Sequence, residues 1–193
     1  MKVYYFDIMG RAEAIRMLLT YKKVDFEDVR LTKEQFGEMK AAGKFEFGQV
    51  PALELDDGTM LVQTVSILRY LAAEYDMEAE GAIAEYKINS IFEHSRSDFF
   101  QKCVLPTMFA PTEEAKEAAA KTLFTTHLPA YYKTIEGYLD GKKYVAGDKM
   151  TWVDIYLSHF FLNHTFNDAN PKSGPFKDFF ESNAGPNLKK WVE

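Results

Sequence analysis

Residues 1–75 alternate short, β-rich apolar runs with helical periodicity, whereas residues 83–193 are helical in pattern almost throughout. A chain written this way folds neither as one sheet nor as one bundle. Interleaved strands and helices build an α/β layer, and a long helical tract buries its own apolar faces. The join at 76–82, Asp76-Met77-Glu78-Ala79-Glu80-Gly81-Ala82, is short, acidic and contains a glycine, which marks a linker. The expected architecture is a small α/β domain at 1–75 followed by an all-α domain at 83–193.

Within the first domain, Lys2–Phe6 reads as a strand, Arg11–Lys23 as an amphipathic helix with Ile15, Leu18 and Leu19 on one face, and Phe26–Leu31 as a second strand. Thr32-Lys33-Glu34-Gln35 has the form of a capping box and predicts a short helix to about Ala42. Ala52–Leu55 and Thr59–Val62 flank Asp56-Asp57-Gly58, a hairpin signal, and Val65–Tyr75 is helical again. The order is βαβαββα, with a mixed sheet. In the second domain the helical tracts are Ile83–Val104, ending near Pro106, then Thr112–Leu139 with a break or kink at Pro129, and Thr151–Phe166. Gly141–Lys149 is a loop, and one or two short helices close the chain.

Composition removes several function classes. The net charge is −6 with no basic run, so neither nucleic acid nor an anionic membrane surface is an expected partner. A single cysteine, Cys103, rules out an intramolecular disulfide and reads as a buried apolar side chain. No apolar run approaches the ~20 residues of a membrane span. The opening residues carry charges where a signal peptide needs its apolar stretch, so a cytoplasmic setting is expected. The four histidines, His94, His127, His159 and His164, lack metal-ligand spacing, and no metal site is expected. Aromatic residues make up 15% of the chain, enough for a filled core and an aromatic-lined pocket.

Four segments carry the chemistry. Tyr5, where the first strand ends and a helix soon begins, is either a core aromatic or a reactive group at a strand end. In Gly48-Gln49-Val50-Pro51 the proline is either an ordinary strand-starting residue or a cis bond that offers the Val50 backbone to an extended ligand. Gln63-Thr64 opens a helix, either as a plain cap or as a carboxylate site of free N–H groups and a hydroxyl. Thr151-Trp152-Val153-Asp154 is a capping box, with Met150 and Ile155 placed as a staple, so Asp154 is assigned to folding.

Taken in order, Tyr5-Phe6 with Gly10-Arg11-Ala12-Glu13, Phe47-Gly48-Gln49-Val50-Pro51, Gln63-Thr64 through Arg69-Tyr70-Leu71, Thr151-Trp152-Val153-Asp154 and the closing Asn187-Leu188-Lys189-Lys190-Trp191 resemble the cytosolic glutathione transferases, most closely the sigma class. The resemblance runs the length of the chain. It implies a thioredoxin-like N-terminal domain, a helical C-terminal domain and a homodimer, with the Arg69-Tyr70 region meeting the partner. It also implies glutathione as co-substrate and no further cofactor.

Carried over, Tyr5 is the catalytic tyrosine that hydrogen-bonds the glutathione sulfur, and Arg11 supports it. Phe36 and Lys40 line the glycine end, with Phe36 where the family more often has Trp. Gln49 and Val50 bind the cysteinyl-glycine backbone, and Gln63 and Thr64 hold the γ-glutamyl carboxylate. Met9 stands where the family often has another arginine, and Asp98 lies near the place of an acidic residue that reaches the partner's glutathione. The electrophile site implied lies between the domains, with Phe99, Phe100, Val104 and Met108 as either its apolar wall or helix core.

A free thiol is only a few per cent ionised at neutral pH, and a hydrogen bond to the charged sulfur favours thiolate. With Tyr5 in that role the protein needs no nucleophile of its own. The expected activity is glutathione transfer to small apolar electrophiles, a detoxification chemistry. The alternatives are glutathione-dependent prostaglandin-H D-isomerisation at the same site and a nearly inactive crystallin-like structural protein.

Overall fold

In the computed structural model, which describes residues 1–193, Lys2–Phe6 forms β1, an interior strand. Its Val3, Tyr4 and Tyr5 are all buried, because both faces of the sheet are covered there. Strand β2, Glu27–Leu31, pairs parallel with β1, and β3, Ala52–Glu54, pairs antiparallel on the other side. Strand β4, Met60–Val62, closes the hairpin and sets the order β2-β1-β3-β4. Gly58, at φ +86°, supplies the left-handed turn residue that Asp56-Asp57-Gly58 predicted.

Helix α1, Glu13–Tyr21, buries Ala14, Ile15, Leu18 and Leu19, and packs beside α3, Thr64–Glu74, which buries Ile67, Leu68, Leu71 and Ala72. The short helix α2, Lys33–Ala41, buries none of its residues. It is held by its predicted capping box: the Gln35 amide donates to Thr32 Oγ1 at 3.1 Å and the Thr32 amide donates to Gln35 Oε1 at 2.8 Å. Beneath it Tyr4, Leu31, Phe45 and Ala52 form an apolar cluster on which Phe36 and Met39 pack.

The chain divides into two compact units, Met1–Glu78 and Ala79–Glu193. The boundary falls inside 76–82, yet Met77 is buried and its amide donates to the Ala72 carbonyl at 2.8 Å, so that part of the segment is anchored.

In the second unit the expected helix over 83–104 begins as α4, Ala82–Glu93, and continues as a π-wound segment, His94–Val104. Phe99, on that segment, stacks on Tyr131 with ring centroids 3.8 Å apart and planes within 1°. Pro106 does not end the tract as expected; it opens α5, Pro106–Phe109, where its missing N–H interrupts no ladder bond. The tract around Pro129 resolves into α6, Glu113–Thr122, a π-wound turn Leu123–His127, and α7, Leu128–Leu139, with Pro129 in its first turn.

Helix α8, Trp152–His164, is the core helix of this unit, and eight of its 13 residues are buried. The Thr151 amide and hydroxyl both donate to Asp154 Oδ2 at 2.9 Å, while the Val145 amide and the Trp191 indole donate to Oδ1 at 3.0 and 3.2 Å. The carboxylate thus ties the preceding loop and the closing helix to one helix start. Helices α9, Ser173–Asn183, and α10, Pro186–Val192, end the chain; Glu136 of α7 caps α10 by accepting from the Asn187 and Leu188 amides at 3.0 and 2.8 Å.

Candidate functional site

Strand β1 delivers Tyr5 to the end of the sheet at which Val50–Pro51 and Gln63 also arrive, because Tyr4 pairs with Ala52 and Ala52 with Val62. After β1 the chain turns through residues 7–9 and a 3-10 turn, Gly10–Ala12, that closes over the tyrosine. The Arg11 amide donates to the Tyr5 hydroxyl at 3.2 Å. Gly10 has φ +45°, and a Cβ built there lies 2.7 Å from Tyr5 Cε1 and 2.8 Å from its hydroxyl, so a side chain at this position collides with the ring. A tyrosine hydroxyl that accepts one hydrogen bond keeps its own proton to donate. The Arg11 guanidinium is exposed; what touches Tyr5 is the Arg11 backbone.

The Val50–Pro51 bond is cis, the second of the two readings that the sequence leaves open. Just before it, Gly48 at φ +59° lies under the stem of Lys40, whose Cε is 2.9 Å from where a Cβ would stand. Lys40 is exposed, as is Gln49, which accepts from the Gln63 amide nitrogen at 3.2 Å. That contact joins two segments that are 14 residues apart in sequence.

Gln63 itself is strained, with φ 71° and ψ 113°, and it is the N-cap of α3 without any side-chain capping bond. Thr64 is the first helical residue and not the cap. The first N–H groups of a helix have no intrahelical partner, so this start presents amide donors and the positive end of the dipole. Phe36 is half-buried and packs edge-on to Phe6 at 5.3 Å and stacks on Phe45 at 6.1 Å. It serves as a seat for α2 and brings no polar donor.

One residue of this region escapes a reading of the sequence. Arg16, on the otherwise apolar face of α1, is buried, and its guanidinium donates to the Ile8 and Met9 carbonyls at 3.2 and 3.3 Å. An arginine among Ile15, Leu18 and Leu19 is the only signal that could have flagged it.

In the second unit the structure sorts the remaining candidates. Phe99 and Val104 are core residues, while Phe100 and Met108 are half-buried. Asp98 is exposed and paired with Lys102 at 2.6 Å, with His94 at 3.8 Å; the Lys102 ammonium holds its carboxyl below the usual range. Cys103 is half-buried rather than fully buried, donates to the Asp98 carbonyl at 3.3 Å, and burial pushes its thiol pKa up. A group raised in this way is less nucleophilic at neutral pH.

Residues 1–73 match the glutathione S-transferase N-terminal domain and residues 97–193 match the glutathione S-transferase C-terminal domain. Probable glutathione S-transferase 7 of Caenorhabditis elegans is 32% identical over 202 residues, covering 100% of this chain and 95% of that protein. The human hematopoietic prostaglandin D synthase is 30% identical over 155 residues, covering 80% of this chain and 74% of its own. Among solved structures, a monomeric glutathione S-transferase of the hookworm Necator americanus superposes with a TM-score of 0.74 at 26% identity, over 99% of this chain and 95% of that one. The fold is therefore that of a transferase with a thioredoxin-like first domain and a helical second one. The chain belongs to the glutathione S-transferase family.

Proposed function

We propose that the protein activates the thiol of glutathione for attack on small apolar electrophiles, with Tyr5 donating its hydroxyl proton in a hydrogen bond to the sulfur. The observation that carries this reading is the Tyr5 hydroxyl itself, fixed by the Arg11 amide at a strand end. A charge-assisted bond of this kind stabilises the thiolate over the thiol. The other family positions take the roles that their surroundings suit. The uncapped start of α3, with Gln63 and Thr64, suits the γ-glutamyl carboxylate. Gln49 and the Val50 backbone suit the cysteinyl-glycine portion, and Lys40 offers a cation to the glycine carboxylate. Phe36 borders the same end by packing alone.

The same proposal includes sigma-class membership, a homodimer formed around the Arg69-Tyr70 region of α3, a detoxifying role and a cytoplasmic location. No helix is long and apolar enough to cross a membrane. The monomeric hookworm neighbour makes sedimentation at micromolar protein the deciding measurement for the dimer. A second reading, prostaglandin-H D-isomerisation at the same sulfur, is favoured by the similarity to the human prostaglandin D synthase. Turnover of a chloronitrobenzene set against turnover of a prostaglandin endoperoxide separates the two.

The direct test of the site is Tyr5→Phe. The ring keeps its packing, so the fold and the affinity for glutathione persist, while the rate at neutral pH falls about tenfold or more, since one pKa unit of the bound thiol is about 1.4 kcal/mol. Part of the loss returns at alkaline pH. An unchanged rate together with an unchanged thiol titration in the binary complex overturns the assignment.

A further inference from the structure

We propose that Arg16 is a positioning residue for the Tyr5 hydroxyl, acting by clamping the loop that lies over it; the proposal rests on the glutathione transferase reading. The side chain of Arg16 is only 6% exposed. Its Nε donates to Asp28 Oδ1 at 2.9 Å, and its Nη1 is shared among Glu13 Oε2 at 2.8 Å and the Ile8 and Met9 carbonyls. Asp28, on β2, also accepts from Arg30 Nε at 2.7 Å, and Arg30 Nη1 donates to the same Ile8 carbonyl at 3.2 Å and lies 3.6 Å from Asp7. Two arginines bridged by one aspartate therefore grip residues 7–9 from α1 and from β2.

The next two residues are Gly10 and Arg11, the pair that closes on Tyr5. The Arg16 guanidinium carbon also lies 6.0 Å from the centroid of the Tyr5 ring. Stability alone does not account for this arrangement. Buried ion pairs are often replaceable by apolar packing without loss of stability, whereas here the cation holds two successive carbonyls while its buried Nη2 makes no hydrogen bond. Released from the clamp, residues 7–9 would let the Arg11 amide drift, and the Tyr5 hydroxyl would lose the bond that fixes its direction.

Arg16→Gln and Arg16→Lys test the clamp, with glutathione as the probe and a chloronitrobenzene as acceptor. In Arg16→Gln the Arg11 amide should exchange with solvent about tenfold faster or more. The titration of the bound thiol should move about one unit to alkaline pH, with kcat at neutral pH down about tenfold, while the KM for glutathione stays within about twofold because its remaining contacts are untouched. Arg16→Lys should recover part of each change. Folded variants with wild-type amide exchange and thiol titration overturn the proposal. If both variants fail to fold, Arg30→Gln, at the exposed side of the same network, reads it instead, and an unchanged thiol titration there overturns it as well. A wild-type protein that neither binds nor ionises glutathione defeats the functional reading, and the amide-exchange arm still decides whether Arg16 holds the loop over Tyr5.

Discussion

Helices α8 and α3 both begin where a loop meets the core of its unit, and the two starts are built in opposite ways. At α8 a buried carboxylate, Asp154, takes donors from the preceding loop, from its own cap and from the terminal helix. At α3 the cap is Gln63, held at positive φ, with no side-chain bond to the helix and its side-chain amide bonded to Gln49. A start saturated from within the protein has nothing left for a ligand and serves folding. A start left open forgoes about 1 kcal/mol of capping and keeps its donors for a bound anion. The difference separates a helix start saturated from within the protein from one left open, although both are written as a polar residue before an apolar helix.

The sharpest way to break this contrast is Asp154→Ala. It leaves two amides, a hydroxyl and an indole N–H without their acceptor, and the loss should be at least about 3 kcal/mol, read by urea unfolding. A loss near zero would show that the saturated start is not what holds the second unit.

Acidification probes the far end of the same helix. His164 lies among Phe100, Phe160 and Phe176, with ring centroids 5.6, 5.1 and 5.9 Å away. Burial first, and then the neighbouring His159, lower its pKa to about 4. The unfolded chain takes up this proton first, near pH 6.5, so stability declines as pH falls from there toward 4, by up to about 3 kcal/mol. In His164→Phe this part of the decline should vanish; an identical pH dependence in the variant would contradict it.

The open start answers to a smaller change. Gln63→Gly relieves the positive φ and should stabilise the protein by about 0.5–1 kcal/mol, while glutathione affinity drops several-fold with the lost amide. Stabilisation and weakened binding moving together is the signature of a strained binding residue. A destabilised variant would show instead that the Gln49 contact outweighs the backbone strain.

The sequence by itself determined what is local. Both capping boxes, at Thr32–Gln35 and Thr151–Asp154, are legible because they are completed within four residues. The hairpin at Asp56-Asp57-Gly58 is legible because a left-handed turn needs its glycine, and the strand that carries Tyr5 because its apolar and aromatic run is bounded by charge and turn. The family resemblance also named Tyr5, Gln49 and Gln63 as candidates. Tertiary structure decided the rest. The hydrogen bond from Gln63 to Gln49 joins segments on either side of a hairpin, and the donors that saturate Asp154 come from as far as Trp191. The packing of Phe36 is likewise tertiary, because its neighbours Phe6 and Phe45 come from other parts of the chain. The π winding at His94–Val104 has no signature in local propensity. Arg16 makes the point most plainly: a charge on an apolar helix face reads as an exception until the fold brings Asp28 and two loop carbonyls to it, and only that convergence makes its burial tolerable.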